Sequence, residues 1–432
     1  MKNKTVINNL PKDPFSGYFS PGKPNVFKQK LLQTQISSYW SRLISKTMSK
    51  GQYTYLQSGE LKSTHKIRLG NENFLNVSSY DYLSLIGNRE IESSAIEAIN
   101  KFGTSTGGVR LLSGSHVLHE ELEHKLAEFK GTEAAISYTS GYMANLAIAS
   151  ALIDQKDKVL IDEKIHKSFI DALSMAKSDF EKFRHNDMND LEIKLNEVPT
   201  YRRVFVIVEG IYSMDGSILE LPELLLLKRK YGFFVVIDEA HSFGVLGKTG
   251  RGVNEHFGIH ANEVDVWTSS LSKAIPSNGG FIGGSRELII YLQHQSSPYV
   301  FSSALNIGSV AAIIKSLEII ERYPDKIENL WKNVKYFLNS CKQIGLNTGI
   351  SQSQVTPIIV GSKNDTLKLS AFLYKHKILS PAAVFPAVPF NQGRLRICMN
   401  AAILNEEMDY IIEKIDSGIK SNVKANTIQK YS

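Results

Sequence analysis

The chain has 432 residues, 42% hydrophobic and 22% charged, with a formal charge of +7; this allows a large core in two or more lobes and, without a Lys/Arg block, argues against a nucleic-acid-binding protein. Its two cysteines, Cys341 and Cys398, form no C-x-x-C pair or disulfide pattern and point to a reducing, cytoplasmic setting. No apolar run approaches a membrane span, and MKNKTVINNLPKDPF lacks the apolar centre of a signal peptide, so no transmembrane segment is expected.

Residues 1–73 read as an N-terminal segment, polar at first and punctuated by Pro and Gly. Within it QKLLQTQISSYWSRLISKTM predicts one amphipathic helix, with Leu31, Leu32, Ile36, Trp40 and Leu43 near one face. The compact part is expected to start at Phe74, in NFLNVSSYDYLSL. FGTSTGGVRLLSGS is a Gly-rich loop suited to close backbone approach. SHVLHEELEHKLAEF places Leu118, Leu122, Leu126 and Phe129 at helical spacing, and Gly131 closes the helix. AAISYTS predicts a buried strand and GYMANLAIASAL the helix after it. KVLID, RVFVIVEG, FFVVIDEAH and VDVWTSS are further strands, with helical stretches such as LPELLLLKRKYG between them. This alternation predicts an α/β domain with a mainly parallel central sheet over residues 74–304. From residue 305 the pattern changes to long helical runs, IGSVAAIIKSLEIIERY and NEEMDYIIEKIDSGI, around a mixed region: a smaller C-terminal α+β domain, 305–432.

Two motifs mislead. DEAH, Asp238–His241, invites a helicase reading, which needs G-x-x-x-x-G-K-[ST]; before Gly247-Lys248-Thr249 the first glycine's place is held by Ser242, and the triplet follows DEAH instead of preceding it. HEELEH, His119–His124, spaces its histidines at i and i+5, which do not share a helix face as the i and i+4 of a zinc motif do. No metal site is expected.

Ligands of parallel sheets sit at the carboxyl ends of strands. There AAISYTS runs into Ser140-Gly141-Tyr142 and a helix start, whose free N–H groups suit a phosphate. KVLID is followed by His166. RVFVIVEG ends at Glu209, with Ser213 beyond; FFVVID ends at Asp238, with His241 beyond; VDVWTSS ends at Ser270, with Lys273 three residues on. Together these are the parts of a pyridoxal phosphate site: an amine to link to the cofactor, a carboxylate to keep its ring nitrogen protonated, and an aromatic ring to stack on it.

The stretches SSYDYLSL, GGVRLLSGSHVLHEELEHKLAEFKG, SGYMANLAI, FRHND, VEGIYSMDGSI, IDEAHSFGVLGKTGRG, SLSKAIPSNGGFIGGSRELI and GRLRICMNAA, in this order from Asn76 to the last helix, resemble the α-oxoamine synthases, among which serine palmitoyltransferase is closest in motifs. The resemblance implies a fold-type I (aspartate aminotransferase-like) pyridoxal phosphate enzyme, a homodimer with shared active sites. It implies condensation of a small amino acid, serine before alanine or glycine, with an acyl-CoA or acyl-carrier-protein thioester, releasing CO₂ and free thiol. On the matching positions it implies Lys273 as cofactor lysine and proton-transfer base, Asp238 on the ring nitrogen, His166 stacked on the ring, and His241 and Ser213 near the phenolic oxygen. Ser140, Gly141, Tyr142 and Ser270 would hold the cofactor, with Ser302 and Ser303 from the other subunit. Glu209 would line the site and Arg396 would bind the substrate carboxylate. Two positions depart from the family pattern: Val384 stands where some members, including bacterial serine palmitoyltransferases, have an arginine, and Ile403 where a histidine is common. Ile275-Pro276 replaces smaller residues after Lys273. The alternatives are an aminotransferase or lyase of the same fold, and a non-catalytic partner subunit; such subunits usually lack the lysine that is present here.

Overall fold

The structure is a computed structural model that describes residues 32, 34–63, 65–199 and 202–430. The amphipathic helix spans Gln35–Ser49, started by a capping box between Thr34 and Ser37; Leu31, expected on its apolar face, lies outside the described residues. The described residues up to Gly51 and those from Gln52 onward fall into two compact units.

In the larger unit, sheet structure begins before Phe74. β1 (Glu60–Ser63), β2 (Lys66–Leu69) and β3 (Glu72–Asn76) pair antiparallel in sequence. The central sheet holds β4 (Ala134–Tyr138), β5 (Lys158–Asp162), β6 (Asp179–Phe183), β7 (Val204–Glu209), β8 (Phe234–Asp238), β9 (Val266–Ser270) and β10 (Gly280–Gly284), in the order β4-β10-β9-β8-β7-β5-β6. β6, β5, β7, β8 and β9 run parallel to one another. Successive side chains of a strand point to opposite faces, and here both faces are buried. Val159, Ile161, Ile207 and Val236 join one apolar cluster, and Leu160, Val206, Val208, Val235 and Ile237 the other. That is why these strands read as continuous apolar runs in the sequence.

GGFIGG, which its glycines would suit to a loop, forms β10, antiparallel to both β4 and β9. Glycine is a poor strand former, but pairing on both edges prevails, and close packing requires it. A Cβ on Gly280 would lie 2.5 Å from the Gly141 nitrogen.

The helix Ile307–Arg322 packs against helices Arg89–Phe102 and Val117–Lys130. Beyond it, β11 (Val355–Gly361), β13 (Ala382–Ala383) and β14 (Gly393–Cys398) form an antiparallel sheet in the order β11-β14-β13, while β12 (Ile378–Leu379) pairs parallel with β3. The last helix runs Asn405–Lys430. Among the described residues no helix is long and apolar enough to cross a membrane.

Candidate active site

β7 and β8 end level with one another, and β9 runs two residues further, to Ser270. Their register places Glu209 opposite Asp238 and Asp238 opposite Thr268. Asp238 Oδ2 accepts a hydrogen bond from Asn145 Nδ2 at 2.8 Å, and Oδ1 accepts from the Ala240 N–H at 2.9 Å. Asn145 is itself oriented: its amide also donates to Ser168 Oγ (2.9 Å), and its Oδ1 accepts from Thr268 Oγ1 (3.0 Å). Glu209 Oε2 accepts from the Ser213 N–H (3.1 Å), while Oε1 is buried with no partner. Burial, reinforced by the neighbouring Asp238 charge, pushes the Glu209 carboxyl well above the usual range. Its free oxygen can therefore carry a proton.

These strand ends open into a cavity of about 270 Å³, lined by Tyr80, Ser140, Gly141, Tyr142, Asn145, His166, Ser168, Glu209, Ser213, Met214, Asp238, Ala240, His241, Ser270, Lys273 and Arg396. That is close to the lower end for small-molecule sites, roughly 300 Å³. Burial lowers the Lys273 pKa, against the pull of Asp238 and Glu209 and with help from Arg396. A lowered pKa favours the neutral, nucleophilic amine. Burial also lowers His166 and His241, in His241 with the nearby Lys273 and Arg396 charges adding to it. His166 caps the helix Lys167–Met175, with Nδ1 2.8 Å from Ser168 Oγ. His241 Nδ1 lies 2.8 Å from the hydroxyl of the fully buried Tyr82. Arg396, on β14, donates from Nη1 to the Ser213 carbonyl at 3.1 Å.

At the other end of the cavity the helix Gly141–Leu152 begins. Ser140 caps it through the Met143 N–H, leaving the first N–H groups of the helix for an anion. Ser270 Oγ sits 2.8 Å from Ser272 Oγ. A Cβ on Gly141 would come within 2.8 Å of Ser270 Cβ, so only glycine lets the helix start approach the end of β9 this closely.

Two buried clusters hold these loops. Asp162, at the end of β5, faces His185 Nδ1 at 3.0 Å and accepts from the Tyr212 hydroxyl (2.9 Å) and the Lys164 N–H (2.8 Å). His185 Nε2 lies 2.8 Å from Ser217 Oγ. This Ser–His–Asp chain resembles a hydrolase triad, but Ser217 is 2% exposed and opens on no cavity above. It ties the loop carrying His166 to the turn carrying Ser213. Behind the sheet, Glu239 pairs with the buried Lys130.

The residues expected from this chain's own segments thus converge; Ser302 and Ser303, expected to reach the site of the other subunit, do not line this chain's cavity, and Ser303 bridges to Val109. Tyr142 is 44% exposed at the rim, its hydroxyl donating to Asp171. Val384 and Ile403 are buried away from the cavity lining. Sequence reasoning missed Tyr80, Asn145, Ser168 and Met214. Asn145 carried a signal, an amide within the otherwise apolar helix GYMANLAIASAL; Tyr80 carried none.

The donor set fits a phosphorylated pyridine aldehyde. A helix N-terminus and serine hydroxyls match the phosphate, an oriented carboxylate the ring nitrogen, a depressed lysine the aldehyde, and the partnerless Glu209 Oε1 offers a further polar contact.

Residues 72–415 match the family model of class I and II aminotransferases. The chain is 38% identical over 367 residues to the 8-amino-7-oxononanoate synthase of Thermoanaerobacter pseudethanolicus, covering 85% of this chain and 93% of that protein. It is 34% identical over 395 residues to that of Fervidobacterium nodosum, covering 90% and 98%. Among solved structures, the serine palmitoyltransferase of Sphingomonas wittichii superposes with a TM-score of 0.86 at 28% identity, over 91% of this chain and 99% of that one. Family model, relatives and fold agree: this chain belongs to the class I and II aminotransferase family, as an α-oxoamine synthase, a pyridoxal-phosphate-dependent enzyme of fold type I.

Proposed function

We propose that this chain condenses a small amino acid with an acyl thioester, releasing CO₂ and free thiol and leaving an α-amino ketone. The observation that carries this reading is the convergence of Lys273, Asp238, His166 and Arg396, from four separate segments, on one cavity. Pyridoxal phosphate, when bound, supplies an aldehyde for the amines and an electron sink for the bonds broken at Cα. Lys273 Nζ is the amine that holds it and takes the Cα proton. Asp238, pinned by Asn145, keeps the ring nitrogen protonated. His166 would stack on the ring, and His241 and Ser213 would face its phenolic oxygen. Ser140, Gly141, Tyr142 and Ser270 hold the phosphate end, and Glu209 contributes a proton-bearing oxygen. Arg396 binds the amino-acid carboxylate. The new bond joins Cα to the thioester carbonyl, the C–S bond breaks, and the carboxylate leaves as CO₂.

The protein works in the cytoplasm as a homodimer in which Ser302 and Ser303 of each subunit complete the other's phosphate site. Residues 74–304 act as the cofactor domain and 305–432 as the smaller domain, after an N-terminal segment of 73. Serine is the first choice of amino acid, supported by the motifs SYDYL, VEGIYSMDGSI and FPAVP. A second reading, alanine, is favoured by the 38% identity to a synthase whose product carries a methyl beside its amino-bearing carbon.

The test is thiol release and CO₂ release from serine, alanine and glycine with acyl-CoA and acyl-carrier-protein thioesters of graded chain length. Equal yields of thiol and CO₂ from one amino acid are expected, with Lys273→Ala inactive and without the visible absorbance of the bound cofactor. Amino-group transfer without thiol release would overturn the assignment in favour of an aminotransferase.

A further inference from the structure

Buried arginines elsewhere in this protein are paired with carboxylates. Arg110 donates to both Glu123 oxygens (2.7 and 3.0 Å), and Arg394, two residues before Arg396, to Asp215 (2.7 Å). Arg396 is different. Among the described residues it is in no salt bridge, and its guanidinium instead lies over the ring of Tyr80, 4.6 Å from the centroid. The same ring lies 5.9 Å from Lys273 Nζ, and its plane is perpendicular to that of His241, with centroids 6.0 Å apart. Tyr80 lines the cavity and is 39% exposed, so its ring stands at the opening between the two cations.

A ring face attracts a guanidinium through its quadrupole, more weakly than a carboxylate does. Tyr80 therefore helps compensate a desolvated charge without adding a carboxylate to the fork, of which Nη1 donates to the Ser213 carbonyl. A Glu or Asp at this place would close the fork before substrate arrives. Contact with the ring also restrains the guanidinium, which reduces what must be ordered when an anion binds.

We propose that Tyr80 is a positioning residue for the amino-acid carboxylate, its ring holding Arg396 open and oriented beside Lys273. This rests on the reading of Arg396 as the carboxylate site.

The test uses cofactor-loaded enzyme and titrates the cofactor absorbance with an amino acid and with its carboxylate-free amine, serine against ethanolamine or alanine against ethylamine. Tyr80→Phe, which keeps the ring, should leave both affinities within about twofold of wild type. Tyr80→Leu should weaken the amino acid roughly 2- to 30-fold, the range of a cation–π contact, and leave the amine unchanged. The pH midpoint of the cofactor absorbance should not move, and the loss should appear in KM with kcat little changed. Acid and amine weakened alike, or an unchanged ratio, overturns the proposal. Should Tyr80→Leu fail to retain cofactor, Tyr80→Met is read the same way, and loss of cofactor from both assigns Tyr80 a structural role and overturns it. Arg396→Lys separates the two ideas. If it changes the acid-to-amine ratio while the Tyr80 variants do not, the proposal fails alone; if it leaves the ratio unchanged, the Arg396 reading fails and the proposal with it.

Discussion

Lys130→Met is the most demanding perturbation of the scaffold behind the site. Lys130 closes the helix Val117–Lys130 with no exposed side-chain surface. Its Nζ donates to Glu239 Oε2, to Asn254 Oδ1 (2.6 Å) and to the Arg251 carbonyl (2.9 Å), and lies 3.5 Å from the Trp267 ring centroid. Glu239 follows Asp238 directly, and its Oε1 accepts from the Val253 N–H at 2.7 Å. A Cβ on Gly252 would lie 2.1 Å from that oxygen, so the loop from 239 to 253 is folded around this carboxylate. Removing one partner of a buried pair costs about 3–5 kcal/mol. Burial pushes Glu239 up, and Lys130 now opposes that shift; without the amine, Glu239 takes up a proton more readily. Native protein would then bind more protons than unfolded protein between the ordinary glutamate pKa and the raised one. Stability falls with rising pH across that window, so the penalty should grow as pH rises above the ordinary glutamate pKa of about 4.3. Glu239→Gln added to Lys130→Met removes the orphaned charge and keeps an acceptor for Val253, and should recover roughly half the loss, about 2 kcal/mol. The assay is urea unfolding of the cofactor-saturated protein. A single variant costing under about 1 kcal/mol, or two substitutions that simply add, would refute the reasoning.

Burial should make Lys273 lose its proton below the ordinary lysine range. In cofactor-free protein the rate of cofactor capture should rise with pH and level off before the usual lysine pKa of about 10.5; a midpoint at or above that value contradicts it. The same shift makes the native state hold fewer protons than the unfolded one between the depressed pKa and 10.5, so this group's contribution to stability rises with pH there. Gly141→Ala forces a Cβ onto Ser270; overpacking of this kind costs roughly 1–3 kcal/mol. The effect should concentrate in weaker cofactor binding, read by equilibrium dialysis, and unchanged binding would show that the helix start can shift freely.

Much of the site was legible because strand ends are local features. Apolar runs bounded by polar residues locate Glu209, Asp238 and Ser270 at the carboxyl ends of β7, β8 and β9, and parallel topology then brings such ends together. The role of Lys273 as the site's amine follows from the same argument, since it lies three residues beyond the end of β9 in the company of the other strand ends. What stayed hidden depends on pairings distant in sequence. β10 forms despite its glycines because β4 and β9 both offer free edges to it. Asn145 matters because it reaches Asp238, 93 residues away.

By itself the sequence determined the α/β class, the carboxyl-end placement of the chemistry and the family, all carried by short motifs and local periodicity. Tertiary structure alone decided which charges are compensated. Arg394 and Arg396 are alike in sequence, alternating on one strand, yet one meets Asp215 and the other the ring of Tyr80. Both point to the same face of β14, and no local rule distinguishes them, because the partner of each charge is set by whichever distant segment packs at that point of the strand.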